Sequence, residues 1–235
     1  IKLSDFEGSE VLTYPRGQNP KFSFDSNHLF FKIQPAIHEV NELKRIKTRE
    51  EDLPLDTLSI YNVNTQTLTK IPYLISYKIP EKWSDWLVYQ NKTPRDTLLK
   101  KAKKLSKKTG YELNIQNLID TAHYKYPFVK EYILSKKGGK IAFTSSGDDG
   151  EFQSGVYVFD TQKQSIQSIY VSKGIFKSLK WDEAGQQLSF VSDLDTTQSL
   201  NRYFNLHLWS IGDDTAKTIL TARDEFLEKT YLISE

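Results

Sequence analysis

Residues 132–143 read YILSKKGGKIAF and residues 179–190 read LKWDEAGQQLSF. In both, a bulky apolar residue (Leu134, Trp181) is followed at +4 by glycine, at +7 by Ile or Leu and at +9 by Phe. Alternating apolar residues on either side of a polar, glycine-bearing turn describe two strands joined as a hairpin. The spacing returns in YKIPEKWSDWLVY (77–89), from Ile79 to Trp86 and Val88, with Trp83 in the glycine place. FSFDSNHLFFKI (22–33) reads as a shorter version that turns at Asn27.

Each hairpin is followed by a third strand: LSIYNV (58–63), YELNIQNL (111–118), GVYVFD (155–160) and NLHLWS (205–210). A fourth follows in TLTKI (67–71), SIQSI (165–169) and AKTIL (216–220). The anchors Phe24, Ile79, Leu134 and Trp181 are 55, 55 and 47 residues apart and are expected in innermost strands. Repeats of ~40–50 residues with four strands each mark β-propeller blades. One blade cannot bury both of its faces, and radial stacking covers them. A sandwich would also alternate, but without this recurring order of landmarks. The expected fold is therefore all-β: about four four-stranded blades, near 20–72, 73–126, 127–173 and 174–220.

Composition agrees with a strand-rich globular chain. The 235 residues are 38% apolar and 13% aromatic, with thirteen Tyr and thirteen Phe, residues that favour strands. The longest apolar runs, such as Leu29-Phe30-Phe31, fall far short of the ~20 residues that cross a bilayer, so no membrane span is expected. No cysteine is present, which removes disulfides, thiol nucleophiles and Cys-ligated zinc and is compatible with either redox compartment. A chain without methionine that starts at Ile1 reads as a processed or truncated piece. Its ends agree: Ser4-Asp5-Phe6 and Val11-Leu12-Thr13-Tyr14 look like outer strands lacking inner partners, and Tyr231-Leu232-Ile233-Ser234 like a strand without its turn. Four blades of this kind are not expected to close into a ring.

Insertions fall at the same step of every repeat, between its second and third strands, over 34–57, 91–110, 144–154 and 191–203. All should project from one face. The second contains LLKKAKKLSKKTG (98–110) with six lysines, where Leu98, Ala102 and Leu105 allow a short amphipathic helix or turn. Residues 92–108 carry eight basic side chains and one acid, +7 of a chain total of +2, so the remaining residues sum to −5. Nucleic-acid binding needs phosphate contacts spread over a face with aromatic platforms nearby, and a membrane-surface helix needs a larger apolar face. Neither accompanies these lysines. They read as a solvated insertion, with no nucleic-acid partner.

Catalytic, cofactor and metal motifs are missing. There is no Gly-x-Ser-x-Gly elbow, P-loop or dinucleotide-binding glycine pattern. His28, His38, His123 and His207 are scattered, without metal-ligand spacing, and read as structural. GDDGE (147–151) lacks the alternating oxygen ligands of a calcium loop and reads as a polar turn. Arg49-Glu50-Glu51-Asp52 could hold a peptide's amino terminus on paired carboxylates or could be a solvated insertion. No catalytic residue, cofactor-binding residue or metal ligand is assigned, and no cofactor is expected.

On these motifs the chain resembles the amino-terminal propeller of the prolyl-oligopeptidase family of serine peptidases, most of all its secreted bacterial dipeptidyl or acylaminoacyl peptidases. The stretches that carry the likeness are YPRGQNPKFSFDSNHLFFKI, EEDLPLDTLSIYNVNTQTLTKIP, SYKIPEKWSDWLVYQ and GVYVFDTQKQSIQSI. The lysine-rich insertion resembles one at the same place in those relatives. The resemblance implies a seven- or eight-bladed propeller capping an α/β-hydrolase domain that carries a Ser, Asp and His triad. It also implies a periplasmic or secreted protein whose propeller admits peptides and excludes folded proteins. The partners expected are thus a peptide substrate and the protein's own α/β-hydrolase domain, which this chain does not include. The alternative is a non-catalytic propeller used for binding, such as a periplasmic interaction module.

Overall fold

A computed structural model describes residues 1–92, 110–147, 152–195, 197 and 202–221. The lysine-rich run up to Thr109, all of GDDGE except Gly147, and Tyr231–Ser234 lie outside the described residues. Strands dominate, and they form four-stranded antiparallel blades in up-and-down order. Blade 1 is β3 (Gly17–Phe22), β4 (His28–Ile33), β5 (Thr57–Asn62) and β6 (Thr67–Ile71). Blade 2 begins with β7 (Leu74–Lys78), β8 (Trp86–Asn91) and β9 (Tyr111–Asn117), and its outer strand is the first part of β10 (His123–Leu134). The second part of β10 opens blade 3, followed by β11 (Lys140–Ser145), β12 (Gly155–Asp160) and β13 (Ser165–Val171). Blade 4 is β14 (Ile175–Trp181), β15 (Gln187–Asp193), β16 (Asn205–Ser210) and β17 (Lys217–Leu220). A separate hairpin, β1 (Lys2–Ser4) with β2 (Glu10–Thr13), precedes them.

The middle strands explain the apolar runs. β4, β8, β11 and β12 are buried at nearly every residue, not at every second one, because both faces of blades 1, 2 and 3 meet a neighbour. Outer strands β6, β13 and β17 are mostly exposed. Three apolar clusters fill the joints. Phe30, Leu58 and Ile60 meet Leu87 and Tyr89 between blades 1 and 2. Trp86, Val88 and Leu113 meet Ile141, Phe143 and Phe159 between blades 2 and 3. Ala142, Val156 and Val158 meet Leu179, Phe190 and Trp209 between blades 3 and 4. The other side of blade 1 is covered by the hairpin, whose Leu3 and Leu12 pack on Leu29, Phe31 and Tyr61. Among the described residues no apolar cluster joins blade 1 to blade 4.

The innermost strands share a device. Each of β3, β7, β10 and β14 shifts register once against its hairpin partner. Such a bulge sharpens the local twist and bends the strand. Asn19 in β3 and Ser178 in β14 take up left-handed backbone at φ 53 and φ 57 to make it.

Three sequence expectations are corrected. Phe24 does not occupy an innermost strand: it lies two residues past β3, is exposed, and Phe22 takes the anchor place. The backbone bonds Ser23 N to His28 O, Ser135 N to Lys140 O and Asp182 N to Gln187 O align Phe22 with Leu134 and Trp181. Blade 1 is thus not a shorter version, because Phe22 pairs with Leu29 at +7 as Leu134 does with Ile141. Ser26 stands at +4 with φ 61, where blades 3 and 4 use Gly138 and Gly185. A non-glycine residue holds that conformation because the Asp25 carboxylate accepts bonds from Ser23 Oγ, Asn27 N and Asn27 Nδ2. Ile79 likewise lies just past β7. At the amino end, Ser4 closes β1, whereas Asp5 and Phe6 form the turn, with Asp5 Oδ1 accepting from the amides of Glu7 and Ser9.

The insertions leave the blades between second and third strands, so all emerge at the end where the innermost strands begin. In the first, α1 (Ile37–Arg45) and a 3-10 turn (Glu50–Asp52) bury none of their residues.

Candidate binding cavity

At the opposite end, where the innermost strands finish, all four blades line one cavity of ≈ 920 Å³. Phe22 and Phe24 come from blade 1, Tyr77 to Glu81 from blade 2, Ile133 to Lys136 from blade 3, and Leu179 to Glu183 from blade 4. The size lies within the ~300–1,000 Å³ range of ligand pockets. Its walls combine apolar and aromatic side chains with a set of charges.

Lysine recurs at one place in the repeat. Lys21 precedes Phe22, Lys78 precedes Ile79 and Lys180 precedes Trp181, while blade 3 has Ile133 before Leu134. Lys78 Nζ donates to the Tyr132 carbonyl at 2.8 Å and sits 5.1 Å from the centre of the Tyr132 ring. Desolvation lowers its pKa and Lys180 adds to the lowering, with the Glu131 charge opposing. Tyr132 is itself fixed by Ser76 Oγ at 2.8 Å, and burial pushes its phenol up to about 12 although that hydrogen bond opposes the shift. Trp83 donates its indole N–H to Ser135 O at 2.9 Å, tying blade 2 to blade 3 at the rim.

The carboxylates of the cavity are largely committed. Asp182 accepts the amides of Gln186 and Gln187 at 2.7 and 2.9 Å, which hold its carboxyl below the usual range, the Gln187 amide most. Glu183 pairs with Lys136 at 2.7 Å. Glu131, behind the wall, accepts the Leu179 amide at 3.0 Å. Glu81 remains.

None of the residues weighed from sequence converges on this cavity. Glu50 to Asp52 lie at the other end, where Glu51 sits 3.8 Å from Arg49. His28 is buried beside Asn62, and its Nδ1 has no partner. His38 lies on α1, and His123 bonds Asn114 Oδ1 at 2.9 Å. His207 is fully buried, with Nε2 2.7 Å from Ser192 Oγ and Nδ1 3.2 Å from Thr218 Oγ1. A serine next to a histidine is the start of a nucleophile, but here a hydroxyl stands where the orienting carboxylate belongs, and both groups are sealed from solvent. Desolvation lowers the His207 pKa to about 4. The pair is a structural link between β15 and β16. Among the described residues no His, Cys, Asp and Glu group could hold a metal ion, and no helix is long and apolar enough to cross a membrane. The cavity lysines were missed in the sequence because each was read for its apolar neighbour; the signal available was the lysine just before the anchor.

The arrangement defines a β-propeller with a recess at its centre. No protein-family model matches the chain. No curated protein matches it in sequence. Among solved structures it is similar to the β-propeller domain of the Trilobed protease from Pyrococcus furiosus, at TM-score 0.50 and 9% identity, covering 87% of this chain and 56% of that one. The tricorn protease matches at TM-score 0.48 and 12% identity over 88% of this chain and 19% of that one. The acylaminoacyl peptidase of Pyrococcus horikoshii matches at TM-score 0.45 and 10% identity, over 89% of this chain and 33% of that one. The chain thus spans little more than half of the first of these and less of the others. The likeness to the Trilobed protease domain is one of β-propeller fold.

Proposed function

We propose that the chain is the propeller portion of a serine peptidase, gating peptide access to a hydrolase domain that lies outside it. The observation that carries this reading is the cavity built by the ends of all four innermost strands. A recess at the propeller axis admits a flexible chain end and rejects a folded protein by size alone. The fold shared with the Trilobed protease propeller supports the choice of a peptidase. Periplasmic or secreted location belongs to the same proposal.

The test uses the longer protein that contains this sequence. It is expected to cleave prolyl or dipeptidyl chromogenic peptides, to lose that activity to a serine-directed fluorophosphonate, and to leave a folded protein substrate intact. The 235-residue chain assayed alone is expected to hydrolyse neither. Hydrolysis by the isolated chain that survives repurification, or a longer protein without fluorophosphonate labelling, overturns the reading; the second result would leave a non-catalytic binding propeller.

A further inference from the structure

Three lysines face the cavity from three different blades: Lys21, Lys78 and Lys180. Lys136, the fourth, is neutralised by Glu183. Among the described residues none of the three has a carboxylate at ion-pairing distance, and Asp182 is engaged with backbone amides. Glu81 and the ionised Asp182 share the lining with them and the Glu131 charge reaches Lys78 from behind the wall, but none of these carboxylates closes an ion pair with the three. A concave, partly apolar wall strengthens the field of such charges, so the recess offers three ammonium groups without ion-pair partners to an anionic ligand.

We propose that this cavity recognises acidic peptides, their carboxylates held by Lys21, Lys78 and Lys180 and their apolar atoms resting on Phe22 and Trp181. That the ligand is a peptide rests on the proposed function; the attraction to negative charge does not. Placement favours a peptide over a nucleic acid. The lysines converge into one recess, whereas a nucleic-acid backbone is met by charges spread along a face. Lys78 is the pivot, since its Tyr132 contacts hold the ammonium in place before any ligand arrives.

The probes are fluorescein-labelled Gly-Glu-Glu-Glu and Gly-Lys-Lys-Lys, titrated with the 235-residue chain and followed by anisotropy at low and high salt. Binding of the acidic probe only, weakening as salt rises, is expected. A Lys78→Gln/Lys180→Gln variant should bind it at least tenfold more weakly, and Lys163→Gln, on a turn outside the cavity, should match the unaltered chain. Lys78 also bonds Tyr132, so Lys21→Gln/Lys180→Gln, which keeps that bond, serves as the second variant, with a several-fold loss expected. Equal binding of both probes, or unchanged binding in both double variants, overturns the proposal. So does tighter binding of a single-stranded oligonucleotide that disappears in the same variants. Acidic-probe binding without peptide cleavage by the longer protein would remove the peptidase reading and keep this one; cleavage without probe preference would do the reverse.

Discussion

The joint between blades 2 and 3 and the joint between blades 3 and 4 are each filled by an apolar cluster but are built differently. In the first, one strand belongs to both blades: β10 pairs with β9 from His123 to Val129 with an irregularity at Pro127 and Phe128, and from Val129 onward it pairs with β11. Proline supplies no amide to the ladder and Phe128 takes φ 61, so the chain turns without leaving the sheet. The result is one continuous seven-stranded sheet, and the aromatic side chains Trp86, Tyr126, Phe143, Phe152, Tyr157 and Phe159 pack together in its fold, stacked from Tyr126 to Phe152 and edge-on between Trp86 and Phe159. The second joint has no shared strand. A short link through Gly174 separates the sheets, and polar ties supplement the apolar cluster: Gln167 to the Asp213 and Asp214 carbonyls, Ala216 N to Ile169 O, and Leu179 N to Glu131. Radial stacking needs complementary faces, and backbone continuity is an addition to it. The difference should appear in cooperativity, with blades 2 and 3 opening as a unit and blade 4 separating at lower cost.

The largest expected effect compares the two clusters directly. Phe143→Ala and Phe190→Ala each remove a fully buried ring and should each cost about 3–5 kcal/mol, read by urea unfolding. Hydrogen exchange then separates them. Phe190→Ala should deprotect β15 and β16 while sparing β11 and β12, whereas Phe143→Ala should deprotect blades 2 and 3 together. A uniform loss in both variants breaks the comparison.

The buried histidine of blade 4 gives the next effect. The folded pKa of His207, about 4, lies below its ordinary 6.5, so the unfolded chain takes up the proton first as pH falls. The stabilisation is complete above 6.5 and disappears progressively towards about 4, a loss of at most about 3 kcal/mol for this group. His207→Gln should flatten the slope of stability against pH between these values, measured by urea melts at several pH values. An unchanged slope would assign it to the carboxylates.

Turn glycines sharpen the contrast at smaller scale. Gly185 has φ 69 and an added Cβ would meet the Lys137 carbonyl of blade 3, whereas Gly212 has φ 98 with open space around it. Gly212→Ala should cost roughly 1–2 kcal/mol from left-handed backbone alone, and Gly185→Ala more, because the neighbouring blade must also shift. Equal melting temperatures would show that the blades yield at this contact. The smallest effect is Glu183→Gln: its pair with Lys136 also crosses this joint but stands in solvent, so no resolvable change in melting temperature is expected.

Much of this was legible in the chain. The +4, +7 and +9 spacing from Leu134 and Trp181 determined hairpins, and the repeat order determined blades. These are local properties: strand alternation and turn chemistry involve residues close in sequence. Tertiary structure decided the rest. Phe22 rather than Phe24 anchors blade 1 because Asp25 holds Ser26 in the conformation that glycine adopts elsewhere, a turn that no glycine announces. The sharing of β10 depends on pairing with partners on both sides, which Pro127 alone does not specify. The cavity was the least legible, since Lys21, Lys78 and Lys180 stand 57 and 102 residues apart in sequence. Only the radial arrangement of the blades turns three separate lysines into one charged recess, because electrostatic potential depends on distance in space and not along the chain.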